Sequence, residues 1–271
     1  MENGKTQTFF EDHKRPEKAQ GSLSPAGDKG LLGVIGGLGP MATAVFLERI
    51  VRFTDAATDQ EHLDIVVRHC PSIPDRTDFI LGRSPADPLP GLIAQARSLA
   101  QQGARCIAIP CITAHSFHDE IELGAGLPVI DTVALTAQEL KNAGIRRAAV
   151  WATEGTMHTQ LFQKALGRCG IEPILPDADV QKIVTDCIYR DIKTGRDPHA
   201  QELFSAREKM FSLGAQAIIL GCTELSVASR SVDLGPGFID ALDVLARESI
   251  ERCGFPVKES CRRLISVYRR D

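Results

Sequence analysis

The stretch IAIPCITAHSF, residues 107–117, closes a short apolar run with Cys111 and passes at once into a turn and a helical pattern. The stretch AIILGCTELS, residues 217–226, repeats that arrangement around Cys222. Upstream the register is the same: Gly103 and Ala104 precede Cys111 by the distances at which Gly214 and Ala215 precede Cys222. Each segment reads as a helix closed by glycine, a buried strand, and a thiol at the strand's carboxyl end. Parallel sheets receive ligands beyond the carboxyl ends of their strands, so both thiols are expected where a ligand goes.

Outward from these segments, strand and helix patterns alternate. Apolar strand runs at 30–37, 63–70, 105–111 and 127–131 are separated by helical spacing at 41–57, 91–104 and 112–124, and the helix 132–144 follows. The order then restarts: strands at 146–153, 171–176, 216–222 and 237–240 alternate with helices at 158–170, 179–194, 199–215, 223–229 and 241–254. Strict alternation predicts an α/β fold with mainly parallel sheets and helices on both faces. The duplicated register predicts two related, pseudo-symmetric three-layer halves. The expected division is 29–131 plus 232–271 for the first unit and 132–231 for the second. Residues 1–28 are polar, lack an apolar core, and carry Glu2, Glu11, Asp12 and Glu17. They read as a flexible tail or leader, not as a secretory or organelle signal.

Composition removes several classes of function. With 271 residues, of which 43% are hydrophobic and 24% charged, the chain can bury an ample core. A formal charge of −4 with scattered Lys and Arg argues against a nucleic-acid footprint. No apolar run reaches the ~20 residues a membrane helix needs. The eight cysteines are spread without a CxxC, which fits neither a disulfide framework nor a zinc site and suggests a reducing, cytoplasmic setting.

Three motifs compete for the chemistry. Gly37 to Ala42 matches a dinucleotide fingerprint, but Pro40 removes a useful N–H, and no acidic residue ends a second strand about 20 residues later. The loop is better suited to holding a carboxylate. Cys111, His115 and His118 lack the second cluster a metal would need, and the histidines read as helix-surface residues. The cysteines remain. Cys106, inside its strand, fits simple packing. Cys111 and Cys222 each precede polar helix-starting residues, and a helix N-terminus lowers a thiol's pKa toward neutrality. Two thiols on opposite sides of one carbon suit proton abstraction from one face and return to the other. That chemistry needs no cofactor, but it needs donors that stabilise a developing carbanion.

At these residues the chain resembles the cofactor-independent aspartate/glutamate racemase family, in its aspartate racemase branch. The segments that carry the likeness are GVIGGLGPMATAVF, PSIPDRTDFILG, AIPCITAH, ATEGT and AIILGCTELS, in family order over most of the chain. The resemblance implies two α/β domains with the active site between them, in a homodimer, acting on a small acidic substrate. It implies that Cys111 and Cys222 are the acid/base thiols. Arg76 and Lys193 match residues that hold a substrate's side-chain carboxylate. Thr113 and Thr223 match positions that bind the α-carboxylate, Glu224 lies beside the second thiol, and Thr153 falls in ATEGT. Without the resemblance, Arg76 reads as a turn ion pair with Asp75 or Asp78, and Lys193 as a solvated charge ending a helix. Two positions depart from the pattern. Leu38 stands where Met is usual, which preserves volume. Ile112 replaces the Asn of a Cys-Asn-Thr motif and offers no hydrogen bond, a loss of about 1–3 kcal/mol per unsatisfied polar group. Ile112 leaves open a related cleft enzyme (hydantoin racemase, arylmalonate decarboxylase or maleate isomerase type) or a dicarboxylate-binding relative.

Overall fold

A computed structural model describes residues 29–265, so the expectation for 1–28 lies outside the described residues. The first half runs β1 (Leu31–Gly36), α1 (Pro40–Phe53), β2 (Ile65–His69), α2 (Arg76–Ile80), α3 (Leu89–Gln101) and β3 (Ala104–Ala108). A 3-10 turn (Ile112–Phe117), α4 (His118–Ala125) and α5 (Thr132–Asn142) follow. The second half runs β4 (Arg147–Trp151), α6 (Glu154–Thr159), α7 (Leu161–Arg168), β5 (Glu172–Ile174) and α8 (Ala178–Asp186). A π turn (Cys187–Asp191) and a 3-10 turn (Ile192–Thr194) lead to α9 (Ala200–Ser212), β6 (Ala217–Leu220), α10 (Thr223–Ala228), β7 (Phe238–Asp240) and α11 (Ala241–Arg252).

The strands form two sheets, ordered β2-β1-β3 and β5-β4-β6-β7, with parallel pairing throughout. The strands that carry the thiols, β3 and β6, are buried almost end to end, as helices on both faces require. Large apolar side chains fill the layers: Leu32 and Phe46 beneath the first sheet, Trp151 and Phe162 around the second. Each such burial contributes about 1.5–3 kcal/mol.

Four expectations change in detail. The strand at 127–131 shrinks to one bridge, Val129 to Ile107, because Pro128 has no N–H and only its carbonyl meets the ladder. The helix at 158–170 breaks at Gln160, whose φ of 59° is left-handed and divides α6 from α7. The helix at 179–194 loses its regular winding after Asp186 and finishes in the π and 3-10 turns. Finally, β7 hydrogen-bonds to β6 in the second sheet, although residues 232–271 were expected with the first unit. The helix behind it, α11, packs against α1 and α5 and so spans the seam between the halves.

Candidate active site

The two thiol segments close in the same way. Gly103 and Gly214 end their helices with φ of 84° and 90°, conformations that glycine adopts without strain. After β3 and β6, Cys111 and Cys222 sit in extended backbone as N-caps, Cys111 of the 3-10 turn and Cys222 of α10. Both are buried, and both line one cavity between the halves. Asp240 fixes the second segment: its carboxylate caps α11 at the Leu242 N–H (2.9 Å) and accepts from Ser226 Oγ of α10 (2.7 Å).

Every residue assigned to the site from the sequence borders this cavity: Leu38, Arg76, Ile112, Thr113, Thr153, Lys193, Thr223 and Glu224, with the two cysteines. Asp75, Thr77 and Tyr189 also line it, and sequence reasoning had not assigned them to the site. Tyr189 lies four residues before Lys193, a helical spacing that could have revealed it. Asp75 had been considered only as a partner for Arg76.

Thr113 Oγ1 lies 2.9 Å from Thr153 Oγ1 and 3.1 Å from Thr156 Oγ1. This joins the first half to the second through a cluster of hydroxyls. Thr223 makes only longer contacts, 3.4 Å to the Pro110 carbonyl and to Glu224. Ile112 is 2% exposed and packs with Val133, Ala137 and Phe162 in the second half's core. The departure at this position therefore has a packing role as well as a place at the cavity wall.

Charges in the cavity are matched. Arg76, on the first turn of α2, donates Nη1 to the Ile73 and Pro74 carbonyls and Nη2 to the Leu38 carbonyl, 2.9 Å away. Its Nε is buried without a hydrogen-bond partner. Burial works against its charge, while Cys111, Asp75 and Glu224 favour it. The expected ion pair of Arg76 with Asp75 gives way to another: Asp75 Oδ2 faces Lys193 Nζ at 3.6 Å. Asp75 Oδ1 meanwhile caps α2, accepting from the Thr77 and Asp78 N–H groups. Lys193 stays partly exposed, as a charge ending a helix would, but it is not without partners. It lies over the Tyr189 ring, 4.6 Å from the centroid, and Glu224, Tyr189 and Asp75 outweigh its burial and keep it charged.

Cys222 departs from the expected lowering at a helix N-terminus. Burial pushes its thiol well above the ordinary range, and the charge and hydrogen bond of Glu224 add to the effect. The thiol donates to Glu224 Oε2 at 2.9 Å. The glycine loop contributes here. A Cβ at Gly39 would lie 2.6 Å from Glu224 Oε1, so the carboxylate this loop accommodates is the protein's own. At Gly37, with φ of 88°, a Cβ would meet the backbone N of Cys70 at 2.6 Å.

His115 and His118 are buried, contrary to the surface placement expected of them. Burial pushes His115 down to about 4, so it is neutral at pH 7. His118 hydrogen-bonds the Val129 carbonyl through Nε2 at 3.1 Å and helps hold the one-bridge segment. Among the described residues no cluster of His, Cys, Asp and Glu is grouped to hold a metal ion. Nor is any described helix long and apolar enough to cross a membrane.

A cleft between two parallel-sheet halves, with a thiol delivered from the same position of each, defines a class of small-molecule enzymes. The chain belongs to the family described as Asp/Glu/hydantoin racemase, which it matches over residues 35–249. It is 27% identical to the broad specificity amino-acid racemase RacX of Bacillus subtilis (strain 168) over 227 residues, 81% of this chain and 96% of that protein. Among solved structures, the aspartate racemase of Picrophilus torridus superposes with a TM-score of 0.73 at 28% identity, covering 86% of this chain and 98% of that one. A glutamate racemase from Francisella tularensis subsp. tularensis shares the fold, with a TM-score of 0.58, 18% identity and coverage of 82% and 79%.

Proposed function

We propose that this protein is a cofactor-independent amino-acid racemase in which Cys111 and Cys222 exchange the α-proton, with aspartate within its substrate range. The observation that carries the reading is the equivalent placement of the two thiols, each capping the turn after its strand on one shared cavity. In one direction a thiolate at Cys111 takes the α-proton, and the electron pair of the C–H bond moves into the carboxylate-stabilised carbanion. Cys222, which keeps its proton in this setting, then donates it to the opposite face and is left as the thiolate. The reverse reaction runs the same steps backward. The hydroxyls of Thr113 and Thr153, with Thr223 and neighbouring N–H groups, take the α-carboxylate as charge builds on it. Aspartate follows from the family resemblance and from the name of the Picrophilus torridus relative. All eight cysteines are free thiols, in keeping with a reducing, cytoplasmic setting.

The test is α-proton exchange in heavy water, followed by proton NMR with L- and D-aspartate. The expected outcome is exchange with racemisation by the wild type, and loss of racemisation, by at least about a thousandfold, in both Cys111→Ala and Cys222→Ala, each keeping at most exchange on the face of its remaining thiol. Substantial racemisation by either variant would eliminate the two-thiol mechanism.

A further inference from the structure

Resting on the racemase reading, a second question is what the cavity selects at the substrate's side chain. The space around the thiols is about 10 Å³, room for about one water, so an amino acid needs a wider cleft than this one. Beyond it opens a cavity of about 750 Å³. Asp75, Arg76, Lys193 and Glu224 border both spaces and form the partition, whereas Cys111, Thr113 and Thr153 border only the inner one. An α-carbon held between the thiols, with its carboxylate on the inner hydroxyls, therefore sends its side chain toward the partition.

Of the partition charges, Arg76 is engaged by three backbone carbonyls and Glu224 by the Cys222 thiol. Asp75 and Lys193 meet across the cleft, Asp75 from the first half and Lys193 from the second, at 3.6 Å, longer than a good hydrogen bond. Widening the cleft for a substrate would separate the two groups. Neither group is then stranded. Asp75 retains the Thr77 and Asp78 N–H groups, and Lys193 retains the Tyr189 ring and the field of Glu224. Both side chains are also part-exposed, 28% for Lys193 and 33% for Asp75, so water screens whichever charge has lost its partner.

We propose that Asp75 and Lys193 form a two-sided specificity pair. To the side-chain carboxylate position that the resemblance gives Lys193 the pair adds a second: a basic side chain takes the place of Lys193 on Asp75, and the enzyme racemises both classes. The outer cavity gives a long basic chain room that a site shaped for aspartate alone would not need.

The experiment measures kcat/KM for α-proton exchange with aspartate, lysine and alanine in the wild type, Asp75→Asn and Lys193→Gln. Asn retains the cap on α2, and far-UV circular dichroism with the alanine rate reports folding. The wild type is expected to exchange aspartate and lysine. The lysine-to-aspartate ratio should fall about tenfold in Asp75→Asn and rise about tenfold in Lys193→Gln, the size of one charge-assisted hydrogen bond. Ratios that stay constant while both rates drop together would overturn the pair, as would a wild type that exchanges aspartate and alanine but not lysine. A folded, reduced wild type that exchanges none of the substrates would remove the racemase reading itself, and this proposal with it.

Discussion

At Cys222 two influences on a thiol compete, and the outcome sets a pH profile. The helix start favours thiolate, but burial and the Glu224 carboxylate at 2.9 Å favour the thiol. Replacing Glu224 with Gln removes a negative charge and should move the alkaline limb of the kcat profile toward lower pH. A limb that stays in place would separate Glu224 from the proton donor. His115 gives a second residue-scale prediction, on stability. Its folded pKa of about 4 lies below the unfolded value of about 6.5. The unfolded state thus binds more protons in that window, and the contribution, complete above about pH 6.5, is lost as the pH falls toward 4. Between about pH 7 and 4.5 the wild type should lose more stability than His115→Gln, by an amount on the order of 3 kcal/mol, read from urea midpoints. Parallel decline of the two proteins would contradict the burial argument. The thiol positions were legible in sequence because two copies of one register point to them. The direction of the Cys222 shift was not, because it depends first on how deeply the thiol itself is buried and then on the Glu224 carboxylate beside it. Asp75 was visible as a neighbour of Arg76, but its pairing with Lys193 joins residues more than a hundred positions apart.

The loop between β1 and α1 looks from its glycines like a phosphate cradle, and its use differs. Gly39 is small because the Glu224 carboxylate occupies the space where a Cβ would go. Gly39→Ala must displace that carboxylate, so kcat should fall about tenfold or more while the thermal midpoint moves by only a few degrees. An unaltered kcat would show that the Glu224 position is not needed. The turn after β3 answers the opposite question, why a polar position became apolar. Ile112 belongs to the second half's core, and Ile112→Asn places an amide among Val133, Ala137 and Phe162. A loss of roughly 1–3 kcal/mol in urea unfolding is expected, and a variant as stable as the wild type would mean the side chain turns into the cavity instead. Periodicity located almost every element. It missed what depends on single backbone groups: the lost ladder at Pro128, the left-handed Gln160 between α6 and α7, and the π and 3-10 turns that deliver Tyr189 and Lys193.

Across the whole molecule, the two sheets are tied by α11, which leaves β7 of one and packs against α1 over the other. The alternating pattern made the two-sheet plan readable, but pairing of β7 with β6 is a long-range choice that no local spacing records. The single tryptophan, Trp151, is fully buried on β4 and reports on the second half alone. Its fluorescence midpoint in urea should coincide with the far-UV circular dichroism midpoint, because the seam couples the halves into one cooperative unit. Separate midpoints would mean that the halves melt independently. The same near-duplication bears on a reaction whose substrates are mirror images. Mirror images have equal free energies in water, so the ratio of kcat/KM in the two directions must be one. Glu224 stands beside one thiol only, and a polypeptide of one hand cannot treat both enantiomers alike. Any imbalance that this carboxylate creates in turnover must therefore be matched by an equal imbalance in KM in the same direction: a lopsided machine holding a level scale.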